Sequence, residues 1–116
     1  VNSEDGLDEI SPYTKTNVVQ IKNNEISEII IDPQALKINA DKFENLQGDD
    51  AEFNAKKIID IFKGEDNDFS KAVCLNAAAG LVVSENHTKF IDAYKNAKKH
   101  ILSGKAYKHL ETIQNG

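Results

Sequence analysis

Residues 70–84 constrain the fold of this chain more than any other stretch. Ala72, Val73, Cys74, Leu75, Ala77, Ala78, Ala79, Leu81, Val82 and Val83 leave it almost no polar face. A helix that is apolar all round is buried, because no rotation about its axis presents a wet side. Its small residues permit close approach of neighbouring elements. The segment therefore reads as a central helix that needs partners on several sides. The remaining sequence offers three further candidate helices and one hairpin to cover it. Part of its surface is expected to pack on segments outside these residues, leaving an exposed apolar patch prone to self-association.

The other elements follow from local pattern. Residues 1–14 read as a loop closed by Ser11-Pro12. Residues 15–32 read as a β-hairpin. Its second arm carries the β-branched run Ile29-Ile30-Ile31, and Asn23-Asn24 supplies a turn that tolerates positive φ. Asp32-Pro33 ends the hairpin, and a connection with a helical turn near Leu36 follows. The segment 50–113 is helical. A first helix spans 51–62, capped by Asp49 or Asp50, with Ala51, Ala55, Ile58, Ile59 and Phe62 as its inward stripe. The apolar helix at 70–84 comes next. A third helix spans 88–102, lined by Phe90, Tyr94, Ala97 and Ile101. A fourth spans 105–113. The fold class is α/β, a β-hairpin followed by about four helices, all within one domain of 116 residues.

Composition excludes several classes. Net charge is −5, and the 14 basic residues are all Lys. Nucleic-acid and anionic-membrane binding need a basic face, so neither is expected. Without Arg, phosphate must be handled by Lys, metal, backbone amides or an Arg elsewhere. The single cysteine, Cys74, cannot form a disulfide within one chain and reads as a buried thiol. No stretch approaches the ~20 apolar residues of a membrane span. No basic segment leads into an apolar one at the start, so no secretory signal is expected and the compartment is taken as the cytoplasm.

The chemistry concentrates in Glu4-Asp5-Gly6-Leu7-Asp8-Glu9, four carboxylates within six residues around one glycine. Such a cluster repels itself unless a cation sits beside it. Mg²⁺ bridged to phosphate is the natural partner, because it takes one or two carboxylates and keeps several waters. A solvated turn is the plainer alternative, and spacing alone does not pick the ligands. The loop is not an EF-hand, since the D-x-D-x-D-G register is missing. A site so close to the first residue, in a chain without Met, leads to the expectation that its other half lies upstream. His87, His100 and His109 have no metal spacing, and the last two are placed towards helix C-terminal ends. Ser3, Ser11 and Ser27 have no nearby His, so no nucleophile is expected. Asn54 and Asn76, polar residues on apolar helices, read as structural hydrogen-bonding groups.

Val1-Asn2-Ser3-Glu4-Asp5-Gly6-Leu7-Asp8-Glu9-Ile10-Ser11 resembles the acidic metal motif of anthranilate phosphoribosyltransferases. Thr14-Lys15-Thr16 with the hairpin and Asp32-Pro33 is similar to the same family. So are Leu46-Gln47-Gly48-Asp49-Asp50-Ala51-Glu52-Phe53-Asn54-Ala55, Asn76-Ala77-Ala78 in the apolar helix, and Ser103-Gly104-Lys105-Ala106. The resemblance covers the whole chain in order. It implies a nucleoside phosphorylase/phosphoribosyltransferase-type α/β domain in a homodimeric enzyme of tryptophan biosynthesis. That enzyme moves phosphoribosyl from phosphoribosyl pyrophosphate to the amine of anthranilate. Asp8 and Glu9 would be the Mg²⁺ ligands, and Asp5 a helper at most. The family's glycine-rich phosphoribosyl pyrophosphate loop, its Lys-His-Gly-Asn segment and its anthranilate-facing Arg are absent. The chain thus looks like the C-terminal third of such an enzyme and is expected to be inactive alone. The alternatives are a nucleic-acid-binding paralogue and a non-catalytic binding module of the same fold.

Overall fold

A computed structural model describes residues 1–85 and 89–116. Three antiparallel strands, β1 (Asn2–Ser3), β2 (Thr16–Lys22) and β3 (Glu25–Ile31), form a sheet in that order. Four helices follow: α1 (Ala51–Phe62), α2 (Asp68–Val83), α3 (Phe90–Leu102) and α4 (Lys105–Asn115). The expected hairpin is present, with Lys22 opposite Glu25 and Thr16 opposite Ile31. Asn23 and Asn24 both adopt left-handed backbone, φ 52° and 63°. Two consecutive left-handed residues match the twist of the flanking strands, which is why two asparagines turn the chain here.

Residues 1–14 are not wholly loop, as the sequence suggested. Asn2 and Ser3 pair with Asn17 and Thr16 as a short third strand. Two residues carry no periodicity, so only the tertiary pairing reveals them. The turn near Leu36 is present, closed by Leu36 N–H on Asp32 O and Ile38 N–H on Pro33 O. An unforeseen 3-10 turn follows at Phe43–Leu46.

α1 has the expected bounds but not the expected buried stripe. Ala51, Ala55 and Ile58 are exposed, and the one buried residue is Ile61. The helix meets the apolar core at its C-terminal end, where Phe62 packs beside Ile61. Periodicity identified an apolar face, not a neighbour to cover it.

α2 starts two residues before the expected Ser70. Asn67 is the cap, and Ser70 is the third residue of a capping box: each side chain accepts from the other's backbone N–H, both at 3.0 Å. The helix is buried on one side, and the expected exposed apolar patch lies on the other. Cys74, Leu75 and Ala78 are buried, but Val73, Ala77, Gly80 and Val83 are exposed, Val83 at 76%. Val73, Ala77 and Gly80, with Phe62, Leu81 and Ala106, line a mainly apolar groove of about 520 Å³.

α3 packs along α2 through Ala93, Tyr94, Ala97 and Ile101, close to the expected set, with Phe90 half-buried. The expected helix start at Thr88, and His87, lie outside the described residues. α4 turns off through Gly104 at φ 74° and buries no residue fully. The core joins both halves of the chain: Ile10, Ile31 and Ile38 meet Leu75, Ala78, Ala93 and Ile101. Burying a side chain the size of Ile10 or Leu75 contributes about 2 to 3 kcal/mol. The outer hairpin face is not part of that core. Val19, Ile21, Ile26 and Ile30 share it and are 60% to 73% exposed.

Candidate metal centre

The acidic loop folds on a buried cluster of hydroxyls. Ser3, Ser11 and Thr16 are at most 3% exposed. Ser3 Oγ donates to Glu9 O at 2.6 Å and lies 2.7 Å from Thr16 Oγ1. A serine has one hydroxyl proton, so Thr16 is the donor of that second bond. Ser11 N–H is shared between Thr16 Oγ1 at 3.2 Å and Ser3 Oγ at 3.3 Å. Ser11 Oγ in turn accepts from Tyr13 N–H at 3.0 Å. Ser3 and Ser11, two of the three serines dismissed as nucleophiles, are therefore the frame of the loop, while Ser27 stands exposed on β3.

Asp5 is consumed by that frame. Its Oδ1 accepts from Leu7 N–H at 3.2 Å and its Oδ2 from Ser11 Oγ at 2.5 Å. Gly6 makes the turn at φ 88°, a backbone that side chains rarely adopt. Gly6 N–H bonds to Ser3 O at 3.0 Å.

Asp8 and Glu9 behave differently. Both are exposed, and neither carboxylate has a hydrogen bond or ion pair to a described residue. Their backbone is nonetheless fixed. Glu9 O is held by Ser3, and the next residue, Ile10, is 1% exposed in the core. Ile10 N–H donates to Asn76 Oδ1 at 2.9 Å, and Asn76 Nδ2 donates back to Ile10 O at 3.1 Å. Asn76 Nδ2 also reaches Ala72 O within α2, at 2.9 Å. The expected structural role of Asn76 is thus observed, and its target is the acidic loop. The sequence did not reveal that target: 66 residues separate the pair.

A second tie holds the loop's far side. Asp68, 4% exposed in the first turn of α2, accepts from Tyr13 Oη at 3.2 Å and Asn45 Nδ2 at 2.8 Å. It also accepts from Asp41 N–H at 3.0 Å and Lys71 Nζ at 3.0 Å. Burial pushes this carboxyl's pKa up, but the bonds from Asn45, Lys71 and the Asp41 amide outweigh it. The result is a pKa of about 2, against an ordinary 3.8. The Tyr13 hydroxyl is shifted upward, first by burial and then by the Asp68 charge.

The pair fits an ion that brings most of its own shell. Among the described residues no group of three or more His, Cys, Asp or Glu converges on one point. A structural zinc site, built from four Cys, His or carboxylate ligands, is therefore not found among these residues. Two open carboxylates on a fixed backbone suit Mg²⁺, whose remaining positions go to water and phosphate. His100 and His109 are exposed and outside this loop. His100 is in the last turn of α3, but His109 falls in the middle of α4, not near its end as the sequence suggested. Asn54, the other singled-out asparagine, also makes a two-way clamp. Its Oδ1 accepts from Asp49 N–H at 3.2 Å, and its Nδ2 donates to Asp49 O at 2.9 Å.

A small antiparallel sheet followed by four helices makes this an α/β type of domain, and comparison with known proteins agrees. Residues 1–107 match the family described as "Glycosyl transferase family, a/b domain", and the chain belongs to it. It is 74% identical over 115 residues to an anthranilate phosphoribosyltransferase of Pelagibacter ubique, covering 99% of this chain and 35% of that protein. Enzymes of the same name from Priestia megaterium and Methanococcus maripaludis are 36% and 34% identical. They cover 99% and 96% of this chain, and 34% of each relative. The chain thus spans about a third of the length of the curated relatives it matches. No helix among the described residues is long and apolar enough to cross a membrane.

Proposed function

We propose that this chain is part of an anthranilate phosphoribosyltransferase. The whole enzyme transfers phosphoribosyl from phosphoribosyl pyrophosphate to the amine of anthranilate, in tryptophan biosynthesis. The 74% identity over nearly the whole chain carries the reading. The open Asp8–Glu9 pair supports it. In the proposal these two carboxylates bind Mg²⁺. The bound ion would supply positive charge to the leaving pyrophosphate, in a reaction that builds positive charge on the ribose. Asp8 and Glu9 hold their negative charge at a fixed place, and Ser3, Asp5 and Ser11 keep the loop in shape without spending that charge. The cytoplasm and a homodimer are proposed as the setting of the whole enzyme.

A chimera tests this directly. The matching third of the Pelagibacter ubique relative is replaced by this chain, and product formation is followed by loss of anthranilate fluorescence. The chimera is expected to be active. Asp8→Asn with Glu9→Gln is expected to lower kcat/KM at least 100-fold, with wild-type thermal stability retained. An inactive but folded chimera, or full activity without both carboxylates, refutes the assignment. This chain alone is expected to turn over no substrate, because it spans only a third of the relatives' length.

A further inference from the structure

We infer that Asn76 is a positioning residue for the metal pair, an inference that rests on the function just proposed. The peptide linking Glu9 to Ile10 is gripped at both ends. Its carbonyl accepts from Ser3 Oγ at 2.6 Å, and its N–H donates to Asn76 Oδ1 at 2.9 Å. The second bond from Asn76, to Ile10 O at 3.1 Å, fixes the following peptide too. One amide side chain on the central helix thus sets the backbone angle from which Glu9, and Asp8 before it, present their carboxylates. Neither carboxylate has a bond of its own to a described residue, so nothing on the side chains themselves sets that direction. The third bond of Asn76, to Ala72 O at 2.9 Å, locks the amide's own rotation. Only a side chain with both a donor and an acceptor completes this pattern.

The remote group therefore governs how much Mg²⁺–pyrophosphate affinity the two carboxylates deliver. Groups that orient ligands from behind typically change metal affinity 10- to 100-fold when removed. The probe is Mg²⁺ with inorganic pyrophosphate, titrated calorimetrically into this chain. Asn76→Leu, which keeps the branched shape and removes all three bonds, is expected to weaken binding about 10-fold. It is also expected to speed hydrogen exchange of the Ile10 amide at least 10-fold. Asn76→Asp keeps an acceptor for the Ile10 N–H but sets a carboxylate against Ile10 O, and is expected to fall between. It serves as the second variant should the leucine fail to fold. Cys74→Ala loosens the packing of the same helix without touching the loop, and is expected to stay within twofold of wild type.

Affinity within twofold of wild type in the folded Asn76 variants overturns the inference. So does an equal loss in Cys74→Ala, which would make the effect one of helix stability. No binding by the wild-type chain overturns the metal assignment, and this inference with it. The Ile10 amide would then still report whether the clamp exists, so the two failures are distinguishable.

Discussion

Two asparagines clamp two stretches of this chain with the same pair of bonds, yet hold them very differently. Asn54 grips Asp49, five residues before it, in an exposed turn. Asn76 grips Ile10, 66 residues before it, beside a side chain sunk in the core. The first clamp is local and has water as a ready substitute. The second joins the two ends of the fold, and its removal strands polar groups that are partly buried. The geometry is alike, but the consequence scales with burial and with sequence separation. Only the long-range clamp carries structural information into the acidic loop.

The sharpest way to break the comparison is to remove what only the acidic loop has, its apolar anchor. Ile10→Ala is expected to destabilise the chain by about 3 kcal/mol, as buried Ile truncations do. Denaturant titration measures this, and a loss below 1 kcal/mol would mean that the loop is not anchored through the core.

Next in size is Asp68, a second long-range tie, which accepts from Tyr13 beyond the acidic loop and from Asp41 and Asn45 in the connection before α1. Its pKa lies near 2 in the fold, below the ordinary 3.8. Its charged form therefore stabilises the fold by ~2 kcal/mol at neutral pH. That contribution is fully present above about pH 4 and is lost as pH falls towards 2. Asp68→Asn is expected to lower stability by a similar ~2 kcal/mol near pH 7 and to flatten this acid limb. Parallel slopes for both proteins between pH 4 and 2 would contradict it.

The smallest effects belong to the local clamp. Asn54→Ala is expected to cost less than ~1 kcal/mol, because its bonds are exposed. Gly48→Ala probes the same turn from the other side. A methyl at Gly48 would sit 2.8 Å from Asn54 Oδ1, so the amide must swing away. The two substitutions are expected to be non-additive, with the double variant no worse than Asn54→Ala alone.

The hairpin was legible because its signals are local. Asn23-Asn24 and the Ile29-Ile30-Ile31 run dictate turn and strand without help from the rest of the chain. The bounds of α1 were legible for the same reason: Asp50 does cap it, by accepting from Phe53 N–H. What was not legible was which apolar faces find partners. Ala51, Ala55 and Ile58 repeat as a buried stripe would, and stand exposed. Within the loop, clustering of carboxylates marked the motif. It did not separate Asp5, tied to Leu7 and Ser11, from the open Asp8 and Glu9. That division depends on Ser3, Ser11 and Thr16 meeting in space, which no short-range pattern encodes.

The lone thiol offers an internal stopwatch. Cys74 is 2% exposed in the core shared by α2 and α3, and burial pushes its pKa up to about 11. At neutral pH the reactive thiolate is therefore scarce, and it is shielded. With no second cysteine in the sequence, alkylation of the native protein has one address. Its rate therefore times how often the central helix parts from its neighbours.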